Sequence, residues 1–200
     1  MNNSFHTPTR RMLLAGFAVL GVLGATSPAW AVSEAKAKAL IENVIADIQK
    51  IINSGKSDSA RLRDFEKIFS RYGDTAIIGQ LVLGADGRSA SSSQKRGFAE
   101  AFKLYISHKY GRRFKEMIGA RIEIGKVRKV KSFYEVTTTT ILRGQAPFEV
   151  IYVVSEKSGK FIDLKIEGIS LIKSERAEIG AMLDKRGGNL DKLIADLRKM

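Results

Sequence analysis

At Gly119 the spacing of apolar residues changes period, and that change fixes the class of fold. Before it, apolar residues recur every three or four positions. Leu40, Ile41, Val44, Ile45, Ile48, Ile51 and Ile52 share one stripe, which predicts a helix from Ser33 to Asn53. A second helix follows from about Ala60 to Tyr72, with Leu62, Phe65, Phe69 and Tyr72 inward and Ser57 or Asp58 as cap. Thr75 to Leu83 reads as a short apolar helix. Ser92 to Ile118 reads as a long one whose stripe is aromatic: Phe98, Phe102, Tyr105, Ile106, Tyr110, Phe114 and Met117. After Gly119 the period is two. Ile122, Ile124, Val127 and Val130 lie in a first strand, and Phe133 to Leu142 is a second, rich in β-branched residues. Phe148 to Ser155 is a third and Lys160 to Ile166 a fourth, with Lys157-Ser158-Gly159 as the turn between them. Short links imply antiparallel pairing. Helices at about Ile172 to Lys185 and Asn189 to Lys199, separated by Gly187-Gly188, close the chain. The expectation is an α+β domain: N-terminal helices, a four-stranded antiparallel sheet and two C-terminal helices.

Residues 1–31 stand apart. Arg10 and Arg11 precede an uncharged apolar run, and Ala29-Trp30-Ala31 has the small-x-small form of a cleavage site. This is the pattern of a signal peptide cleaved after Ala31, so the folded domain is expected to be 32–200. Thr9-Arg10-Arg11-Met12-Leu13-Leu14 also resembles a twin-arginine signal, which leaves the export route open. The chain has no cysteine, so neither a lipid anchor on cysteine nor a disulfide is available. Its formal charge of +13 favours anionic partners, such as lipid head groups or acidic protein surfaces. For an exported chain nucleic acid is not expected.

Composition also limits the chemistry. His108 is the one histidine beyond the leader, and cysteine is absent, which excludes a His/Cys metal site and a cysteine nucleophile. No phosphate-binding glycine loop is present. Ser170-Leu171-Ile172-Lys173 is an S-x-x-K, and Lys157-Ser158-Gly159 a K-S-G, both associated with acyl-enzyme chemistry. The K-S-G, however, precedes the serine instead of following it. The S-x-x-K spacing also occurs at Ser33/Lys36 and Ser92/Lys95, so it carries little information. No S-D-N occurs. An exported serine hydrolase acting on acyl substrates is therefore the alternative reading, with a ligand-free basic envelope-binding protein as a third.

The C-terminal segment FIDLKIEGISL carries more. Phe161, Asp163, Leu164, Ile166, Glu167, Gly168, Ile169, Ser170 and Leu171 resemble the C-terminal signature of the MlaC, or toluene-tolerance, family. Arg176 and Ile179 follow in register, then Gly188, Leu193, Ile194 and Leu197. Upstream, Gln94, Phe98 and Phe102 match a second family segment, and ILRGQAPFEVIYVVSEKSGKF resembles its paired-strand region. The likeness runs from about Leu40 to Leu197. It departs at Gly84-Ala85-Asp86-Gly87-Arg88, which lacks the aromatics usual there, and at Phe161, where Trp is common.

The resemblance implies a periplasmic phospholipid-binding shuttle, not an enzyme. Its members move lipid between an outer-membrane lipoprotein complex and an inner-membrane ABC transporter complex, which maintains outer-membrane asymmetry. They hold the tails in a deep apolar cavity between sheet and helices. No cofactor is implied; bound phospholipid is cargo, and a monomer is expected. Alternation and family analogy together suggest the pocket lining. On the helices it comprises Phe65, Phe69, Leu81, Phe98, Phe102, Tyr105, Tyr110 and Met182. On the strands and their junction it comprises Val136, Thr138, Val150, Tyr152, Leu164, Ile166 and Ile169. Each acyl CH2 removed from water contributes about 0.8 kcal/mol, so two long chains supply a large gross stabilisation. Lys109, Arg112, Arg113, Lys115, Lys126, Arg128, Lys129 and Lys131 gather near the helix-to-sheet junction and are candidates for docking to acidic surfaces.

Overall fold

The computed structural model describes residues 32–200, so the expected signal peptide lies outside the described residues. Helices α1 (Glu34–Ile52), α2 (Asp58–Tyr72), α3 (Thr75–Leu83) and α4 (Ser92–Gly111) come first. Strands β1 (Arg121–Val130), β2 (Phe133–Ile141), β3 (Phe148–Ser155), β4 (Phe161–Ile166) and β5 (Ile169–Ser170) form one antiparallel sheet in sequence order. Helices α5 (Leu171–Asp184) and α6 (Leu190–Leu197) end the chain. Among the described residues no helix is long and apolar enough to cross a membrane.

Serine and asparagine side chains set the helix starts. Ser33, Ser57, Ser91, Ser170 and Asn189 each accept a hydrogen bond from the backbone N–H three residues on. Such caps satisfy amides that would otherwise lack partners. At α4 the cap is reciprocal, because the Gln94 side chain also accepts the Ser91 N–H.

Two expectations need correction. The aromatic helix ends at Gly111, not Ile118. Glycine weakens the helix there, the chain tightens into a 3-10 turn at Arg112–Lys115, and Gly119 at φ +78 delivers it into β1. The sheet has five strands, not four. Glu167 (φ 49) and Gly168 (φ 80) both adopt left-handed backbone, the requirement of a two-residue hairpin turn. That turn folds Ile169 and Ser170 back onto Ile166 and Lys165.

The inner face of the sheet carries Tyr134, Val136, Thr138 and Thr140 from β2, opposite Val154, Tyr152, Val150 and Phe148 of β3. A register shift between Ile124 and Val127 keeps Ile122, Ile124 and Val127 of β1 on this same face. Thr138 is fully buried and satisfies its hydroxyl on the Val150 carbonyl at 2.9 Å.

Phe161 fastens the helices to the sheet. Its carbonyl accepts the Asp74 N–H at 2.9 Å, its backbone pairs with Gly73, and its ring meets Phe69 edge-on at 5.7 Å. Gly73 is required for this approach. A Cβ there would stand 2.8 Å from the Phe69 carbonyl oxygen and 3.1 Å from the Phe161 ring. Gly73→Ala should destabilise the fold by about 1–3 kcal/mol. Gly180→Ala, in a helix interior with open space around it, should instead stabilise it by about 0.5–1 kcal/mol. Urea denaturation of the two variants beside the parent checks both signs.

Candidate functional site

Where α2, α3, α4, β4 and α5 converge, the core leaves a narrow cavity of about 20 Å3. Its walls include Phe69, Ile78, Phe102, Ile106, Phe161, Leu164 and Ile172, with Asp163 and Glu175 as the acidic groups among them. That is room for about one water molecule and far below the 300–1,000 Å3 of a typical ligand pocket. The aromatic rings account for the small volume. Phe98 stacks on Phe102 at 5.6 Å, Phe102 meets Tyr105 at 6.0 Å, and Tyr152 meets Phe161 edge-on at 6.4 Å.

The outer face of the sheet carries a second, open groove of about 360 Å3. Phe133, Val153, Val130 and Ile162 give it apolar walls, and Lys165, Lys173 and Arg176 bring cations to it. Val153 brings the outward face of β3 into this groove. Glu135 anchors this side, accepting Lys165 Nζ and Arg128 Nη2 at 2.6 Å each. Those two bonds hold its carboxyl below the usual glutamate range. Arg176 is committed elsewhere: its Nε donates to the Leu81 carbonyl at 2.8 Å and its Nη2 does so at 2.5 Å, tying α5 to the end of α3.

Cavity and groove share a wall. Ile162, Asp163 and Ile172 line both. The wall is the junction of β4, β5 and α5, and Asp163 fixes it. Its Oδ2 accepts the Ser170 hydroxyl at 2.6 Å and its Oδ1 the Ile172 N–H at 3.0 Å. Ser170 in turn accepts the Lys173 backbone N–H at 3.2 Å. The S-x-x-K spacing is thus an N-cap: the amide of the lysine, not its amine, reaches the serine. Ser33 and Lys36 repeat the arrangement at 3.3 Å.

On the far side of the cavity a polar cluster joins α4 to α5. Glu175 Oε1 accepts Tyr110 Oη–H at 2.7 Å and Lys109 Nζ at 2.9 Å. Glu178 accepts Tyr105 Oη–H and Lys109 Nζ, each at 2.5 Å. Burial and the bond to Glu178 push the Tyr105 phenol up to about 12. Burial and the bond to Glu175 raise Tyr110 further. Burial alone would lower Lys109, but its bonds to Glu178 and Glu175 outweigh that and hold it above the ordinary lysine range. Lys109 and Tyr105 hold Glu178 below the ordinary glutamate range.

The sequence-predicted lining residues divide into groups. Phe69, Phe102 and Leu164 line the cavity, and Leu81 lines the outer groove. Phe98, Val136, Thr138, Val150 and Tyr152 are buried in the core beside the cavity, while Phe65 and Met182 pack half-buried against it. Tyr105 and Tyr110 belong to the polar cluster. Ile166 and Ile169 pair at the sheet edge and are exposed, Ile169 by 66%. Sequence reasoning missed Ile78, Ile162, Ile172, Asp163 and Glu175. For Glu175 a signal existed: it occupies the apolar stripe of α5 between Ile172 and Ile179 at helical spacing. Among the candidate docking cations, Lys109, Arg128 and Lys129 are ion-paired, the last with Glu156. Arg112, Arg113, Lys126 and Lys131 are exposed.

Fold and site together define an α+β binding domain with an apolar interior and a basic groove beside it. The chain belongs to the MlaC family, whose model matches residues 39–199. Among solved structures it is similar to the phospholipid-binding protein of Ralstonia solanacearum, solved in complex with a phospholipid. The TM-score is 0.68 at 19% sequence identity, over 80% of this chain and 98% of that one. Curated protein sequences give no significant match.

Ser170→Ala removes a cap and one partner of Asp163, and should cost about 1 kcal/mol of stability. Phospholipid binding should persist. A chemical-denaturation curve and a lipid extraction of the variant check both, and loss of a measurable esterase activity would favour the hydrolase reading.

Proposed function

We propose that this protein is a periplasmic phospholipid carrier that moves lipid between the outer membrane and an inner-membrane ABC transporter complex, and that it performs no chemistry on its cargo. The observation that carries the reading is the shared wall. A cavity of about 20 Å3 cannot take an acyl chain, and a groove of about 360 Å3 can take part of one. Ile162, Asp163 and Ile172 border both. Outward movement of the β4–β5–α5 junction joins the two into one apolar space open at a cationic mouth. Family membership and the phospholipid seated in the structural neighbour support this reading.

The energetics suit a carrier. Burial of each CH2 contributes about 0.8 kcal/mol in the protein, and about the same in a bilayer. Transfer between the two is therefore near balance, and small differences decide its direction. Head groups at the mouth meet Lys165 and Lys173, and the exposed Arg112, Arg113, Lys126 and Lys131 offer a docking surface for acidic partners.

Native mass spectrometry of the protein purified gently from the cell envelope should show a bound two-chain phospholipid; its consistent absence would overturn the reading. Replacing Arg112, Arg113, Lys126 and Lys131 by Glu should slow lipid transfer to membrane-bound partners at least several-fold while leaving the bound lipid in place. Unchanged transfer kinetics would remove the docking role of this surface.

A further inference from the structure

At one end of the sheet two turns lie side by side. The β1–β2 turn, residues 131–132, meets the β3–β4 turn, residues 156–160, because the Glu156 N–H donates to the Ser132 carbonyl at 3.0 Å. The Val32 N–H donates to the Glu156 carbonyl at 3.1 Å and pins the second turn to the start of α1. Within 129–132 and 156–160 stand four lysines and a single carboxylate, Glu156. Lys129 occupies that carboxylate at 2.6 Å. Lys131 and Lys157 are exposed and Lys160 is half-buried, and none of the three has an ion pair among the described residues. In the first turn of α1 close by, Glu34 and Lys36 offset each other. The opposite end of the sheet mixes its signs: Arg121 and Arg143 are exposed there together with Glu123, Glu149 and Glu167.

Turn geometry does not call for Lys131. Its φ of 55 is left-handed backbone, which strains a lysine and suits glycine. Strain kept at an exposed position points to a use outside the fold. The chemistry of the patch selects the partner. Protein interfaces are depleted in lysine and built on aromatic and arginine anchors. These turns contain no arginine, and among the described residues the exposed large apolar side chains lie elsewhere, at Ile77, Ile118, Ile166, Ile169 and Met200. Lysines are flexible point charges, suited to head groups that move laterally in a bilayer.

We propose that these two turns dock the protein on a bilayer surface rich in anionic phospholipid, peripherally and without insertion. Val130 and Phe133 flank the first turn and line the outer groove, so docking brings that groove beside the bilayer. Lys131 also belongs to the surface assigned above to acidic partners; Lys157 and Lys160 do not. The docking concerns the bilayer and not the cargo, and it does not rest on the carrier reading.

Co-sedimentation with vesicles tests this. The protein should bind vesicles of equal parts phosphatidylglycerol and phosphatidylcholine but not pure phosphatidylcholine, and should leave them as salt is raised. Each lysine near an anionic surface contributes about fivefold in partitioning. Replacing Lys131, Lys157 and Lys160 by Gln should therefore weaken binding on the order of a hundredfold. A charge-matched triple, Lys185→Gln, Lys192→Gln and Lys199→Gln, removes exposed lysines of the C-terminal helical segment and should change binding less than about threefold. Lys131→Gly alone should weaken binding about fivefold with an equal or higher urea midpoint. Equal weakening by the two triples would assign binding to net charge and overturn the proposal. Indifference to phosphatidylglycerol would overturn it too. So would binding of polyglutamate through the same lysines without binding to the vesicles, which would assign the turns to an acidic protein. Extraction of the protein reads its cargo separately, so loss of vesicle binding with lipid still bound leaves the carrier reading standing.

Discussion

The two hydrogen bonds accepted by Asp163 hold the C-terminal third of the molecule in place. One comes from the Ser170 hydroxyl and the other from the Ile172 amide, so a single carboxylate secures both β5 and the first turn of α5 against β4. Everything that separates inside from outside at this point hangs on that attachment. Ile162 and Ile172 are carried by the two elements it joins, and both face the cavity on one side and the groove on the other. α5 then carries Glu175 to the α4 cluster and Arg176 to the end of α3. A junction of about ten residues thus sets the position of the polar cluster, the cavity wall and the groove mouth.

Much of this was legible in the sequence, for identifiable reasons. Apolar spacing placed all six helices, and the Ser57 expected to cap the second does so. Alternation placed four strands, and the even-numbered residues of the second and third do face the core. β5 escaped because two residues are too short to show alternation. Its signal was the Glu-Gly pair between two isoleucines, which is turn chemistry and not hydrophobic pattern. The aromatic helix was read too long because Met117 still packs half-buried against the core beyond Gly111, and hydrophobic spacing alone does not register the break.

The candidate site was less legible. Phe69, Phe102 and Leu164 were found because a cavity wall and a core wall have the same composition. For the same reason Phe98 and Val136 could not be told apart from them. Ile166 and Ile169 follow the strand period but lie at the sheet edge, where the period continues and the cover stops. Glu175 shows the converse. A charged residue in an apolar stripe breaks the local pattern, and here the break marks the cavity wall. Departures from pattern are informative where they are buried.

The rings of Phe98, Phe102, Phe161 and Tyr152 fill the interior with the protein's own side chains. An interior filled this way holds almost no water to expel. On the proposed carrier reading, loading an acyl chain exchanges one set of dispersion contacts for another instead of drying a wet surface. Its thermodynamic signature should be correspondingly enthalpic, with a heat-capacity change set mainly by the lipid leaving its source. For a carrier of the proposed kind, affinity is fixed in part by how well the rings pack on one another: the better they fit together, the more readily a bound lipid is released.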